Sequence, residues 1–246
     1  MGEFDYHSLS AVIAGGGVGA RCGGEIPKQF QELDGIPVIL RTIRKFVQHP
    51  ECSAIAVVVP ADWTDWMRKQ VRAMEWRDKV RVVKGGAERG DSVFAGLKAL
   101  KETDVVVIHD AARPFLTSEM ITESAKRAWE YGGATTAVPV TDTLKRENEG
   151  VISGTVRRKG LYRVQTPQGF RFKIIMKAYK ISRKIGFSGT DDCVLLERFT
   201  GIKVKLVKGS NLNIKITTPE DFDIAEAIIR MNGRTNENRE MINPGN

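Results

Sequence analysis

Residues 11–28 read AVIAGGGVGARCGGEIPK, an apolar run that passes without a polar break into a glycine-rich loop. Residues 11–14 suit a buried strand, and Gly15, Gly16, Gly17 and Gly19 remove the side chains that would keep backbone N–H groups away from an anion. A strand feeding a phosphate cradle is the first expectation, and a phosphorylated ligand the second.

The glycines alone do not say which phosphate. A dinucleotide fingerprint needs a helix directly after the loop and an acidic residue about 20 positions on. Here the loop continues through Cys22, Gly23 and Gly24 to Pro27, which argues against an immediate helix. The Gly-Lys-Ser/Thr ending of an ATPase P-loop is also missing. Arg21 and Lys28 instead flank a long loop, and two cations there suit the extended charge of a triphosphate. A tight turn with solvated Arg and Lys is the plainer alternative.

The chain has 246 residues, enough for one α/β domain with an excursion. Its 38 Lys plus Arg against 30 Asp plus Glu leave a formal charge of +8, which favours anionic partners. The basic residues are scattered, without a block or a base-reading module, so phosphorylated small molecules are expected rather than nucleic acid. Cys22, Cys52 and Cys193 form no CxxC, and His7, His49 and His109 do not join them at metal-ligand spacing. Neither a signal pattern nor a membrane-length apolar run is present, so a soluble cytoplasmic protein with reduced cysteines and no membrane partner is expected.

Strand-like and helix-like segments alternate, as expected for a mostly parallel sheet covered by helices. Strands are expected at 11–14, 54–59, 80–83, 105–109, 135–138 and 203–207. Helical stripes run through Ile39, Ile43, Phe46 and Val47, through Trp63, Trp66, Met67, Val71 and Met74, and through Val93, Leu97 and Leu100. Residues 118–131 read as a further helix. Thr218-Pro219-Glu220-Asp221 starts a last one, whose stripe is Phe222, Ala225, Ile228 and Ile229. The alternation breaks at about 142–165, where glycines and charges punctuate short β-like pieces; an arm for dimer or substrate contacts is expected there, with a solvated loop as the alternative. The domain is expected to span 1–234, followed by a polar tail at 235–246.

Several clusters carry candidate chemistry. Gly85 and Gly86, leading to Ser92, form a turn that can read a base edge, or simply join strand to helix. His109-Asp110-Ala111-Ala112-Arg113-Pro114 ends a buried strand, where ligands of open α/β sheets sit. Asp110 is placed to bind a ribose hydroxyl or to help hold Mg²⁺, and Arg113 to reach a second phosphate. His109 reads as a hydrogen-bonded core histidine rather than a base. Lys215 interrupts an apparent strand at Asn213-Ile214-Lys215-Ile216-Thr217, where a solvated edge lysine is the plain reading.

Taken together, these blocks resemble the 2-C-methyl-D-erythritol 4-phosphate cytidylyltransferase family over almost the whole chain. The resemblance is carried by the glycine loop with Arg21 and Pro27-Lys28-Gln29, by Gly85-Gly86-x-x-Arg89 with Asp91-Ser92, and by residues 109–114. It continues through Asp142-Thr143-Leu144-Lys145, Gln165-Thr166-Pro167-Gln168, Thr190-Asp191-Asp192 and Asn213-Ile214-Lys215. It implies a Rossmann-like nucleotidyltransferase fold with a protruding β-arm. It also implies CMP transfer from CTP to the polyol phosphate in isoprenoid precursor synthesis, Mg²⁺ dependence, and a homodimer whose arm completes the neighbouring site. Catalytic roles fall on Arg21, Lys28, Arg158 and Lys215. Nucleotide contacts fall on Ala14, Gly15, Gly16, Gly17, Gly19, Gly85, Gly86, Ser92, Asp110 and Ala111, and acceptor contacts on Arg113, Thr143 and Thr166, with Asp110 as the metal candidate.

Gly15 and Gly16 stand where alanines are common in the family, Cys22 where methionine is usual, and Ala87 where an acidic residue often follows the paired glycines. Ribitol 5-phosphate cytidylyltransferases share the loop, His109-Asp110 and Lys215, but Thr143-Leu144-Lys145 and residues 160–165 look more like the methylerythritol type. A non-catalytic nucleotide-binding domain is the reading from another class; it predicts CTP binding without pyrophosphate release.

Overall fold

The computed structural model describes residues 6, 8–17 and 26–242, with side chains as far as residue 232. In chain order the elements begin with β1 (Leu9–Ala14), β2 (Glu32–Leu33), β3 (Ile36–Pro37), α1 (Val38–Val47), β4 (Cys52–Val59), α2 (Thr64–Arg72), β5 (Val80–Lys84), α3 (Arg89–Ala99) and β6 (Val105–Asp110). They continue with α4 (Ser118–Tyr131), β7 (Gly133–Pro139), β8 (Leu144–Asn148), β9 (Val151–Val156), β10 (Tyr162–Arg171), α5 (Phe172–Lys184), α6 (Cys193–Thr200), β11 (Lys205–Lys208) and α7 (Glu220–Ile242).

Seven strands form one sheet in the order β11-β7-β10-β6-β1-β4-β5. β1 pairs in parallel with both β4 and β6, β4 with β5, and β7 with β11. Central strands such as VVVI in β6 are apolar on both faces because helices cover both sides. The period of two divides them: Ile13, Ile55 and Val57 meet Ile43 and Phe46 of α1 and Ile121 of α4, whereas Val12, Ala56 and Val58 meet Val93 and Leu97 of α3 with Ile175 of α5 and Leu196 of α6. A smaller core of Leu33, Val38, Ala112, Ile216 and Ala225 seats α7.

The six expected strands are present, with ends shifted by one or two residues, and the expected helices are α1 to α4 and α7, with Trp63, Met74 and Leu100 of the stripes just beyond the ends of α2 and α3. The tryptophan stripe packs as core, with Trp63 stacked on Phe30 at 4.1 Å between ring centroids. The sequence reading missed β10, which runs antiparallel between β6 and β7. Pro167 in its middle argues against a ladder strand; the register shift between Val164 and Gln168, where the Thr166–Pro167 peptide is cis, accommodates it. Helices α5 and α6 were also missed.

Three expectations change. No strand forms around Lys215: residues 213–217 are an extended loop tied to the core by Ile216 N–H to Ala112 O at 2.9 Å. The expected polar tail continues α7 as far as Ile242, with no helix-breaking proline before Pro244. The arm expected at 142–165 contains a separate, exposed hairpin of β8 and β9, but its last residues, 162–165, begin β10 of the main sheet.

Strand β1 is where the order turns, with β4 on one side and β6 on the other, and the carboxyl ends of β1, β5 and β6 share one edge. Because β10 is antiparallel, its amino-terminal residues Gln165 and Thr166 reach that same edge.

Candidate active site

Ala14, Gly15, Gly16, Gly17, Lys28, Ser92, Asp110 and Ala111 line one cavity of about 350 Å³ at this edge, together with the start of α3. Gly15 N–H bonds Val58 O at 2.8 Å, and Gln29 Nε2 donates to Gly15 O at 2.8 Å and Gly17 O at 2.7 Å. The loop is therefore held from both sides. A Cβ at Gly16 would stand 2.3 Å from Ser92 Oγ, so a side chain there would require that hydroxyl to turn aside. At Gly85, a Cβ would stand 2.8 Å from the same hydroxyl. Gly85 and Gly86 back the cavity rather than line it, and Ser92 Oγ accepts from Gly86 N–H at 3.2 Å. The turn into α3 is fixed by a reciprocal cap between Glu88 and Asp91. Ala87 lines the cavity, so the absence of an acidic side chain there leaves more of that wall open. Gly19 and Arg21 lie outside the described residues, as does Cys22.

A second cavity, of about 540 Å³, is lined by Arg113, Thr166, Gln165, Thr190 and residues of α6 and β11. Arg89, Asp110 and Lys215 belong to both cavities and form the wall between them. Asp110 Oδ1 accepts from Arg89 Nε at 3.2 Å, while Oδ2 meets Lys215 Nζ at 2.8 Å and Arg113 Nε at 3.7 Å. Burial by itself would raise the Asp110 pKa; Arg89, Lys215 and Arg113 outweigh it and hold the carboxyl far below the usual carboxylate range. Asp110 is thus an anion at any physiological pH. Its backbone N–H bonds Thr166 Oγ1 at 3.1 Å, which fixes the β6–β10 contact beneath the wall.

Lys215 reaches the wall because its loop is strapped down. Asn213 Nδ2 donates to Thr166 O at 2.8 Å, Gln165 Nε2 donates to Ser210 O at 2.8 Å, and Arg113 Nη1 donates to Asn213 O at 2.8 Å. On the far side, Arg89 Nη2 donates to Asp192 Oδ2 at 2.9 Å, and Tyr179 and Gln168 hold Asp192 in turn. His109 is fully buried with Nε2 at 2.9 Å from Arg113 O, and burial lowers its pKa to about 4. It is a neutral core residue, as the sequence suggested.

The structure gathers Lys28, Lys215, Asp110, Arg113, Thr166 and the nucleotide-loop residues. It does not bring in Thr143 or Arg158: both lie exposed beside the hairpin, line neither cavity, and Arg158 Nη1 bonds Thr141 O. Among the described residues no cluster of three or more His, Cys, Asp or Glu gathers to hold a metal. With both Asp110 oxygens turned to cations, Asp110 does not fit a protein-held Mg²⁺ site. The sequence reading passed over Gln29, Arg89, Gln165, Gln168, Asp192 and Asn213. Their one signal was membership in the matched blocks, because hydrogen bonds between distant loops leave no periodicity.

The sequence model of the 2-C-methyl-D-erythritol 4-phosphate cytidylyltransferase family matches residues 9–231. A relative of that name from Geobacter metallireducens is 43% identical over 228 residues, covering 91% of this chain and 98% of its own. One from Bacillus pumilus is 40% identical over 218 residues, covering 89% and 95%. Among solved structures, the 4-diphosphocytidyl-2C-methyl-D-erythritol synthase of Anaerococcus prevotii superposes with a TM-score of 0.79 at 31% identity, covering 91% of this chain and 98% of that one. A family match spanning the central sheet and both cavities, with relatives at 40% identity or more, shows that the chain belongs to the 2-C-methyl-D-erythritol 4-phosphate cytidylyltransferase family.

Proposed function

We infer that this chain transfers CMP from CTP to 2-C-methyl-D-erythritol 4-phosphate, giving 4-CDP-2-C-methyl-D-erythritol and pyrophosphate. The observation that carries the reading is the wall of Arg89, Asp110 and Lys215 shared by a glycine-lined cavity with Lys28 and a second cavity with Arg113 and Thr166. A nucleotide in the first and a phosphorylated acceptor in the second meet at that wall. The acceptor's phosphate monoester, with a second pKa of about 6, is largely dianionic at neutral pH and needs no base. One of its oxygens bonds to the α-phosphorus of CTP as the bond to the bridging oxygen breaks and pyrophosphate departs. The obstacle is repulsion between two polyanions, which fixed cations reduce. Lys28 and Lys215 serve that purpose, joined by Arg21 on the strength of the family resemblance.

Mg²⁺ is proposed to enter on the phosphates of CTP rather than in a protein cage, since it keeps most of its waters and leans on phosphate oxygens. The arm is proposed to pair two copies and to bring Thr143 and Arg158 to the neighbour's acceptor. Val151 and Ile152 on the arm are 68% and 65% exposed, an apolar surface that a second copy would cover. A cytoplasmic setting fits the buried free thiols of Cys52 and Cys193. Among the described residues no helix is long and apolar enough to cross a membrane.

Pyrophosphate release, measured with each NTP against methylerythritol phosphate and ribitol phosphate in parallel, tests base, acceptor and reaction class together. CTP with methylerythritol phosphate is the expected pair. Turnover with ribitol phosphate alone would reassign the acceptor, and CTP binding without release would remove the enzyme reading.

A further inference from the structure

The wall between the two cavities is continued by a chain of charges whose far end, Asp192 with Tyr179, lines neither cavity. Asp192, at the start of α6, has no exposed surface, and a lone carboxylate there would be strongly unfavourable. It is met by Arg89 Nη2 at 2.9 Å and by the Tyr179 hydroxyl, and its own N–H donates to Gln168 Oε1 at 3.2 Å. Arg89 then turns Nε to Asp110 Oδ1 at 3.2 Å, which leaves Oδ2 for Lys215 at 2.8 Å. A planar guanidinium suits this task because its donors diverge in a fixed fork, so one side chain sets the distance between two carboxylates. Three cations, Arg89, Arg113 and Lys215, face two anions, Asp110 and Asp192. Arg89 is the one of the three that is bonded to both anions.

We propose that Arg89, anchored by Asp192 and Tyr179, is a positioning residue that sets the plane of Asp110 and, through it, the place of the Lys215 ammonium at the acceptor. The proposal rests on the cytidylyltransferase reading for its kinetic consequence but not for its geometry. Arg89 lies at the first turn of α3, Asp192 at the start of α6 and Asp110 at the end of β6, so the clamp also ties the nucleotide-side helix to the acceptor-side helix. A fold staple without any positioning role is the competing account.

Arg89→Met alone strands Asp192 and can fail to fold, so the deciding variant is Arg89→Met with Asp192→Asn, in which the asparagine still accepts the Tyr179 hydroxyl. A melting temperature within about 5 °C of wild type is expected for it, since no buried charge is left unpaired. Acceptor KM should rise about tenfold or more; CTP KM should rise by less, since Arg89 and Asp110 also line the nucleotide cavity while Lys28 and the glycine loop are untouched. Arg89→Lys, which can meet one carboxylate but not both, should fall between. A second readout needs no turnover: after reductive ¹³C-methylation, the Lys215 NMR signal, identified by its absence in Lys215→Arg, should move toward those of exposed lysines in the double variant. An unmoved Lys215 signal with unchanged acceptor KM in the folded double variant overturns the proposal and leaves Arg89 a staple. If wild type shows no pyrophosphate release with the acceptor named above, the functional reading fails, and the Lys215 signal still decides the clamp.

Discussion

Lys28 lines the glycine cavity beside Gly15, Gly16 and Gly17, where the phosphates of a nucleotide would lie. An ammonium fixed there acts most when charge accumulates on the departing pyrophosphate, so its removal should be felt in turnover more than in binding. Lys28→Ala is expected to lower kcat about a hundredfold, the scale of losing one donor to developing negative charge. Wild-type kcat in this variant would take Lys28 out of the reaction. His109 gives a prediction of another kind. Its pKa lies at about 4 in the folded chain because burial disfavours the imidazolium, against an ordinary value of 6.5. At pH 7 both folded and unfolded forms are neutral, and His109 contributes no pH dependence. As pH falls below about 6.5 the unfolded chain takes up a proton that the folded chain refuses until about 4, so stability drops across that window, by roughly 3 kcal/mol at its acid end. His49 is lowered for the same reason and adds a slope of the same sign, so the readout is a difference. Urea unfolding of wild type and His109→Gln between pH 4.5 and 7 should show a shallower slope in the variant; equal slopes would place the loss elsewhere.

At the scale of elements, the glycine loop is held from below by one side chain. Gln29, buried next to Phe30, supplies both hydrogens that satisfy Gly15 O and Gly17 O, so loop shape and strand end are tied to the residue after the lysine. Gln29→Leu keeps the bulk and leaves two carbonyls without that donor. CTP KM should then rise about tenfold, in line with the cost of one or two unmade buried hydrogen bonds, while acceptor KM changes little. An unchanged CTP KM would mean that the backbone holds the loop without Gln29. This carboxamide also shows why elements were legible in the sequence and their fastenings were not. Strands such as VVVI and helices such as Ser118–Tyr131, with its capping Thr117 and Gly132 in the left-handed region, announce themselves through periodicity and end residues. Strand β10 hides because Pro167 with Gln165, Thr166 and Gln168 makes the buried part of YRVQTPQGFR look like a loop, and only its pairing with β6 and β7 makes it a strand. The wall of the site followed the same division. Asp110 and Arg113 were visible as polar residues breaking out of a buried strand. Lys215 read equally well as a solvated edge residue until the loop carrying it folded back onto Asp110, and Asp192 carries no local mark of the charge it balances.

For the whole molecule, the proposed pairing of two copies raises the question of which copy's arm serves which copy's cavities. The hairpin of β8 and β9 is not part of the main sheet, and Arg158 and Thr143 line neither cavity of their own chain. In a twofold dimer each site would consist of one copy's cavities and the other copy's arm, and this arrangement has an arithmetic that can be measured. Take one protomer with Lys28→Ala, which damages its cavity and keeps its arm, and another with Arg158→Ala, which damages its arm and keeps its cavity. Each homodimer is then defective at both sites. In a mixed dimer, one site combines the two defects, and the other joins an intact cavity to an intact arm. Random exchange in an equal mixture makes about half the dimers mixed, each with one working site, so about a quarter of wild-type activity should return. Arms that serve their own chain would give no recovery, because every site in every dimer would still contain a defect. The recovery should also follow the rate of subunit exchange: mixing under conditions that hold dimers together should leave activity low until brief dilution or mild denaturant lets the copies trade partners.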